Sequence, residues 1–245
     1  MEPPSGAPGF TTASATLVDD LCTANAILGD QQLVDGFGHV SVRHDGDPTK
    51  YVITRDLPAG MVTPRDLVDF TLDSAPVRDI GVRYISERYI HGEIYKARPD
   101  VHAVIHTHAV PLIMFSIIDV PLRPVYHMGA FLGEGVPNFE IRDAAGMTDL
   151  LVKTPQLGQA LARSLGDKSI ALMRGHGATI VGRSLRHAVF QAIYAKQNAE
   201  LQADAMRFGP VKFLEPEESV KCSEFQSAGV ERPWQFWKLK ALGRG

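Results

Sequence analysis

Apolar residues recur at helical spacing from Ala13 to about Leu33, with Leu17, Leu21, Ala24 and Leu28 on one face, and this predicts an amphipathic helix. The pattern then shortens to a period of two. HVSVRHDG alternates and stops at Asp45-Gly46, and KYVIT follows after a brief turn, so the two segments predict a β-hairpin. LVDFTLD is a third strand, preceded by TPRD, which carries a helix-start signal. SERYIHGEIYKARPD predicts a helix opened at or near Ser86 and stopped before Pro99. VHAVIHT is a strand and AVPLIMFSII a short helix. After an irregular region rich in Gly and Pro come a helix (PQLGQALARSLGD), two strands (KSIALMRG and GATIVG) and the longest helix, SLRHAVFQAIYAKQNAELQADAMRFG, ended by Gly209-Pro210.

No internal repeat and no linker divides the chain. Residues 1–12, rich in Pro and Gly, are expected to be disordered, residues 13–215 to form the domain, and residues 216–245 to form a tail packed on the domain or on a neighbouring subunit. Strands and helices alternate without a regular βαβ rhythm, and GEGVP is neither a Walker nor a Rossmann signature. The fold class is α/β (α+β): a single domain with a central mixed or antiparallel sheet flanked by helices.

Composition narrows the function classes. The chain has 245 residues, 44% hydrophobic and 22% charged, values typical of a globular domain. A net charge of -3 gives no footprint for nucleic acid or an anionic membrane. The two cysteines, Cys22 and Cys222, do not suggest a disulfide framework. The N-terminus lacks the basic and apolar regions of a secretory signal, and no apolar run is long enough to span a bilayer. A soluble, cytoplasmic protein is expected.

The candidate chemistry lies in three segments. In AVIHTHAV, His106 and His108 stand two apart on an extended segment and point to the same side, a geometry suited to a divalent cation. Strand-end histidines satisfied by carbonyls would look the same. In LMRGHGATIVG, His176 sits between two glycines in a strand-to-strand turn, where missing side chains permit close approach; a plain hairpin with an exposed histidine is the alternative. Glu87 falls in the first turn of its helix, where the macrodipole favours a carboxylate and Arg83 could pair with it. His91, one turn later, reads as a structural partner rather than a ligand.

Taken together, FGHVSVR, SERYIHGEIYKARPDVHAVIHTHAV and LMRGHGATIVG resemble the class II aldolase/adducin family, with the similarity running from about Leu17 to about Gly209. The resemblance implies a three-layer fold with His106, His108 and His176 as ligands of a divalent metal. Zn²⁺ or Mn²⁺ is favoured, with Fe²⁺ or Co²⁺ as further candidates. It also implies that Glu87 ligates the metal or serves as acid and base, and that the chain forms a homotetramer with sites near subunit interfaces.

The chain departs from the sugar-phosphate members of that family. Where those carry an asparagine, a Thr/Gly turn and paired serines around a phosphate, this sequence has His39, Arg55 with Asp56, and Ile85 before Ser86. His127, beside Tyr126, takes the place of a catalytic tyrosine, and Arg123 lies nearby; a surface ion pair is an equal reading of Arg123. Arg binds carboxylates in bidentate geometry. A carboxylated, non-phosphorylated substrate is therefore expected, bound by His39, Arg55, Ser86, Arg123 and Tyr126. The departures also resemble the branch of the family that decarboxylates hydroxylated aromatic or heteroaromatic dicarboxylates, and that resemblance implies decarboxylation of a small hydroxy-aromatic or heteroaromatic acid, with Glu87 or His127 delivering the proton. An aldolase acting on a non-phosphorylated hydroxy-oxo-acid or sugar derivative is the second reading, and a non-catalytic adducin-like scaffold the third. The clustered Trp234, Phe236 and Trp237 either pack on the core or cover an adjacent site.

Overall fold

Seven strands form one sheet among the described residues: β1 (His39–Arg43), β2 (Lys50–Thr54), β3 (Leu67–Thr71), β4 (Ala103–Thr107), β5 (Asn138–Phe139), β6 (Ile170–Met173) and β7 (Gly177–Gly182). Their order is β3-β2-β1-β4-β7-β6-β5, antiparallel throughout except for the parallel β5–β6 pair. The structure is a computed structural model and describes residues 10–227 and 229–243.

Alternation along the strands sends side chains to two faces. Val40, Val42, Ala103, Ile105, Ala178 and Ile180 pack on one side, with Leu21, Ala24 and Leu28 of α1 (Ala15–Asp30), Leu112 and Phe115 of α3 (Val110–Ser116), and Ala188, Val189 and Ala192 of α6 (Leu185–Met206). Tyr51, Ile53, Val104 and Val181 pack on the other, with Ile90 and Ile94 of α2 (Arg88–Ala97) and Leu161 and Leu165 of α5 (Pro155–Leu165). The result is a sheet between two helical layers, as the periodicities predict. His106 has the same parity as Val104 and so continues onto the α2 side; His39 and Ser41 do so from β1, where His39 pairs with His106 and Ser41 with Val104. The site chemistry is thus placed on one face by strand alternation alone.

Several boundaries shift for identifiable reasons. The first helix is shorter than the apolar pattern, opening after Ser14, whose hydroxyl accepts the Leu17 N–H, and closing before Gln32, which adopts a positive φ of 55°. TPRD forms a single 3-10 turn, Pro64–Asp66, closed by a reciprocal Thr63–Asp66 capping box. The Gly- and Pro-rich region contains a 3-10 segment (His127–Glu134), the two-residue β5 and a five-residue helix, α4 (Ile141–Ala145), all too short to impose a period.

Of the leader, residues 1–9 lie outside the described residues. Phe10, Thr11 and Thr12, expected to be disordered, are tied to the sheet instead: Phe10 bridges Val68, and both threonine hydroxyls and the Thr12 N–H donate to buried Asp69. The tail forms α7 (Pro216–Ser227) and α8 (Glu231–Ala241). Trp234 and Trp237, three apart on α8, are only 1% and 6% exposed and join the cluster built on α1 and α6, whereas Phe236 points outward. Replacing Trp234 by Ala should therefore lower the unfolding free energy by about 3–5 kcal/mol in urea titration; a loss below about 1 kcal/mol would show that α8 does not hold the core.

Candidate metal centre

The site is assembled where β4 ends. His106 is the penultimate residue of β4 and His108 lies just beyond it. Thr107 between them faces the other way, its hydroxyl donating to the Leu33 carbonyl and accepting the Ala109 N–H at 3.1 Å, which fixes the direction in which the chain leaves the strand. His176 arrives from the β6–β7 turn. Gly175 there takes φ 65°, a left-handed conformation that costs glycine little. Gly177 opens β7 against β4 so closely that a Cβ would lie 2.1 Å from the Thr107 carbonyl oxygen and 3.2 Å from His108 Cδ2. The G-H-G motif thus serves both the reversal of the chain and the strand contact that brings His176 to the other two rings.

The three Nε2 atoms converge: His106 to His108 at 3.0 Å, and His176 to His108 at 3.1 Å. Glu87 Oε2 stands 3.6 Å from both His106 and His176 Nε2, and one donor atom from each of the four residues falls within 4.8 Å of the others. Imidazoles sharing one ion at bonds of about 2.0–2.1 Å keep their nitrogens about 3–3.4 Å apart, so this donor set fits a divalent cation. His176 Nδ1–H donates to the Leu150 carbonyl at 3.0 Å, leaving the Nε2 lone pair for the cluster. Val152 N–H donates to Glu87 Oε1 at 2.9 Å, so the same stretch of chain holds both His176 and the carboxylate from behind.

The charge states of His106, His108 and Glu87 suit ligation. Burial pushes His106 down to about 3 against the pull of Glu87, and burial also lowers His108, so both imidazoles offer lone pairs. His176 is raised: burial opposes its protonated form, but Glu87 outweighs it. For Glu87, burial works upward, yet the imidazoles of His106 and His176 and the Val152 N–H bring it down to about 2, so it is ionised.

Glu87 stands immediately before α2, at its N-cap, rather than in the first turn, and Arg83 pairs with Asp56 instead of with it. His91 lies outside the cluster. It bonds His39 Nδ1 at 2.7 Å and Ser41 Oγ at 2.6 Å, and burial keeps both His39 and His91 neutral. The His39 ring sits 5.0 Å from that of His106. Ser86, adjoining Glu87, is exposed.

The remaining expected contacts are engaged elsewhere in the chain. Arg55 Nε bonds Asp66 at 2.7 Å, in the capping box of the 3-10 turn. Arg123 lies over the Phe213 ring at 4.0 Å, in a separate groove with Met206 and Val211. Tyr126 donates to Gln197 at 3.3 Å, and burial raises its phenol; His127, beside it, is exposed and is not among the four clustered donors. His108 also borders a cavity of about 550 Å³, lined in addition by Leu33, Val34, Asp35, Lys196 and Glu200. Asp35, Lys196 and Glu200 carry no motif: Lys196 and Glu200 pair at 3.1 Å one turn apart on α6, and only folding brings Asp35 to the same cavity.

Residues 19–203 match the Class II Aldolase and Adducin N-terminal domain. Decarboxylase tropJ of Talaromyces stipitatus is 35% identical over 235 residues, covering 86% of this chain and 88% of its own length. The 3,4-dihydroxyphthalate decarboxylase of Rhodococcus jostii is 27% identical over 209 residues, covering 79% and 80%. Among solved structures, an aldolase II superfamily protein from Pseudomonas syringae has a TM-score of 0.79 at 24% identity, covering 96% of this chain and 95% of that one, a likeness of fold.

The strand contact at Gly177 gives a direct test. Gly177→Ala should weaken Zn²⁺ binding about 10-fold or more in a chelator competition and lower Tm by several degrees. Unchanged affinity would mean that close β4–β7 packing does not set the histidine geometry.

Proposed function

Because this chain belongs to the class II aldolase and adducin family and is one of its lyases, we propose that it decarboxylates a hydroxylated aromatic or heteroaromatic carboxylate. The observation that carries this reading is the convergence of His106, His108 and His176 with Glu87, with His108 bordering a cavity of about 550 Å³, supported by likeness to decarboxylase relatives over most of the chain. His106, His108 and His176 would hold the divalent cation, Zn²⁺ or Mn²⁺, which when bound supplies Lewis acidity toward a substrate oxygen.

The chain's own residues supply the proton movements. Ionised Glu87 accepts the proton of the substrate hydroxyl. The bond from the ring to the carboxylate breaks, CO₂ leaves, and the electron pair stays on the ring carbon beside the hydroxyl-bearing carbon. Glu87 returns its proton to that carbon, and water reprotonates the oxygen, so protons balance over the cycle. His127, exposed on its own protomer, is the alternative donor and would reach the site from a neighbouring copy in a homotetramer. The exposed apolar side chains of Phe37, Val110 and Ile117 suit such an assembly. The unpaired Cys22 and Cys222 suit a cytoplasmic setting, and among the described residues no helix is long and apolar enough to cross a membrane.

Incubation of the Mn²⁺- or Zn²⁺-loaded protein with hydroxylated aromatic carboxylates should release CO₂ without an aldehyde. Aldehyde from a hydroxy-oxo-acid, with no CO₂ from any aromatic acid, would replace this reading by an aldolase. Glu87→Gln should lower kcat about 10²- to 10⁴-fold with metal retained. Near-wild-type turnover in both Glu87→Gln and His127→Ala would remove both from proton delivery.

A further inference from the structure

Behind the metal centre, four buried polar side chains form a continuous hydrogen-bonded line that the proposed reaction leaves unused. Tyr95 Oη lies 2.8 Å from Ser41 Oγ, Ser41 Oγ 2.6 Å from His91 Nδ1, and His91 Nε2 2.7 Å from His39 Nδ1. Tyr95, Ser41 and His91 are at most 1% exposed, and His39 is 6% exposed. The line crosses from α2 to β1 and back, and ends at a ring 5.0 Å from that of His106.

Hydrogen counting gives the line a direction. Each neutral imidazole carries one N–H, and Ser41 and Tyr95 one O–H each. The one side-chain hydrogen-bond partner of the Tyr95 oxygen among the described residues is Ser41. A buried O–H without an acceptor is costly, so Tyr95 donates to Ser41. Ser41 then donates to His91 Nδ1, and His91 Nε2–H donates to His39 Nδ1. His39 is left with its hydrogen on Nε2. The reverse order would leave the phenol hydrogen sealed in the core with nowhere to point. His39 Nε2 has no hydrogen-bond partner among the described residues, and its ring, 6% exposed, lies beside that of His106 at the edge of the cluster.

We propose that Tyr95, Ser41 and His91 are positioning residues that lock His39 as an Nε2–H donor for an anionic oxygen of the substrate, carboxylate or phenolate, next to His106. This rests on the carboxylated-substrate reading above. It explains why a ring is useful where a shorter amide would also fit a strand. The ring is long enough to be held from behind by one nitrogen while the other is directed toward the ligand, and its donor polarity is set by residues of α2 on the same face of the sheet. A donor of fixed polarity favours an anion over a neutral group that offers only hydrogens.

Two measurements on the full-length, Zn²⁺-loaded protein test it, with salicylate, which carries hydroxyl and carboxylate side by side, as the binding probe. In spectra of ¹⁵N-histidine protein, His39 should carry its hydrogen on Nε2 in the wild type, and Tyr95→Phe should shift that population toward Nδ1 with zinc content and melting temperature close to wild type. Hydrogen on Nδ1 in the wild type, or a tautomer unmoved by Tyr95→Phe, would overturn the relay. By calorimetry, His39→Ala should weaken salicylate about 10- to 100-fold, while His39→Gln, which keeps an N–H donor, recovers most of the loss. Equal affinity of His39→Ala and wild type would overturn the donor role. Salicylate binding to neither protein would count against the carboxylate reading, while the tautomer still decides the relay.

Discussion

The close approach of β7 to β4 at Gly177 sets the positions of the three imidazoles. With no Cβ there, the carbonyl of Thr107 and the backbone of β7 occupy space that any side chain would claim, and His176 can stand within 3.1 Å of His108 Nε2. The H-x-H segment supplies two rings on one side of a strand, but it cannot supply the third. That ring has to come from a turn packed tightly enough to reach over the strand end. Nitrogens at metal-sharing separations in turn require outer partners that fix tautomer and charge. The segment from Leu150 to Val152 does this for His176 and Glu87 together, and Leu150 holds a positive φ of 68°, uncommon for a side chain of its size.

Around that centre, the two faces of the sheet divide the labour. The α1, α3 and α6 side, closed by Trp234 and Trp237 of α8, carries a large apolar cluster and supplies packing for β1, β4 and β7. The α2 side accepts a linked set of buried polar groups: Ser41 with His91 and Tyr95, His39 with His91, Arg43 with the carbonyls of Tyr95 and Val101. Satisfied polar networks in a low-dielectric interior are rigid, and this one backs the strand that carries His106. A rigid backing lets a site keep converging nitrogens that repel one another when no cation screens them.

What was legible in the sequence follows from how local each signal is. The fold class emerges from periodicity, because the alternation in HVSVR, the short apolar runs in KYVIT and AVIHT and the 3.6-residue period in the long helices all report burial directly. H-x-H and G-H-G are readable because strand parity and glycine's freedom act over a few residues. The helix pattern puts Glu87 in the first turn, one position from its N-cap place, and its partners, Val152 and the clustered imidazoles, are chosen by the tertiary fold. The expected roles of Arg55 and Arg123 show the limit. Asp66 and Phe213 claim their guanidinium groups within the chain, and nothing in the local sequence announces either pairing. The His39–His91 contact joins residues fifty-two positions apart, and the cavity wall at Lys196 lies on a helix whose pattern reports only packing. Family resemblance supplied what locality could not, namely that two histidine motifs and a carboxylate belong to one centre.

X-ray absorption at the metal edge of the purified, Zn²⁺- or Mn²⁺-loaded protein tests the central geometry most directly. Three imidazoles bound through Nε2 should give first-shell nitrogen at about 2.0–2.2 Å together with the outer-ring scattering of histidine, at one ion per chain. A shell of oxygen alone, or ring scattering that persists undiminished when His106, His108 and His176 are all replaced by alanine, would contradict it.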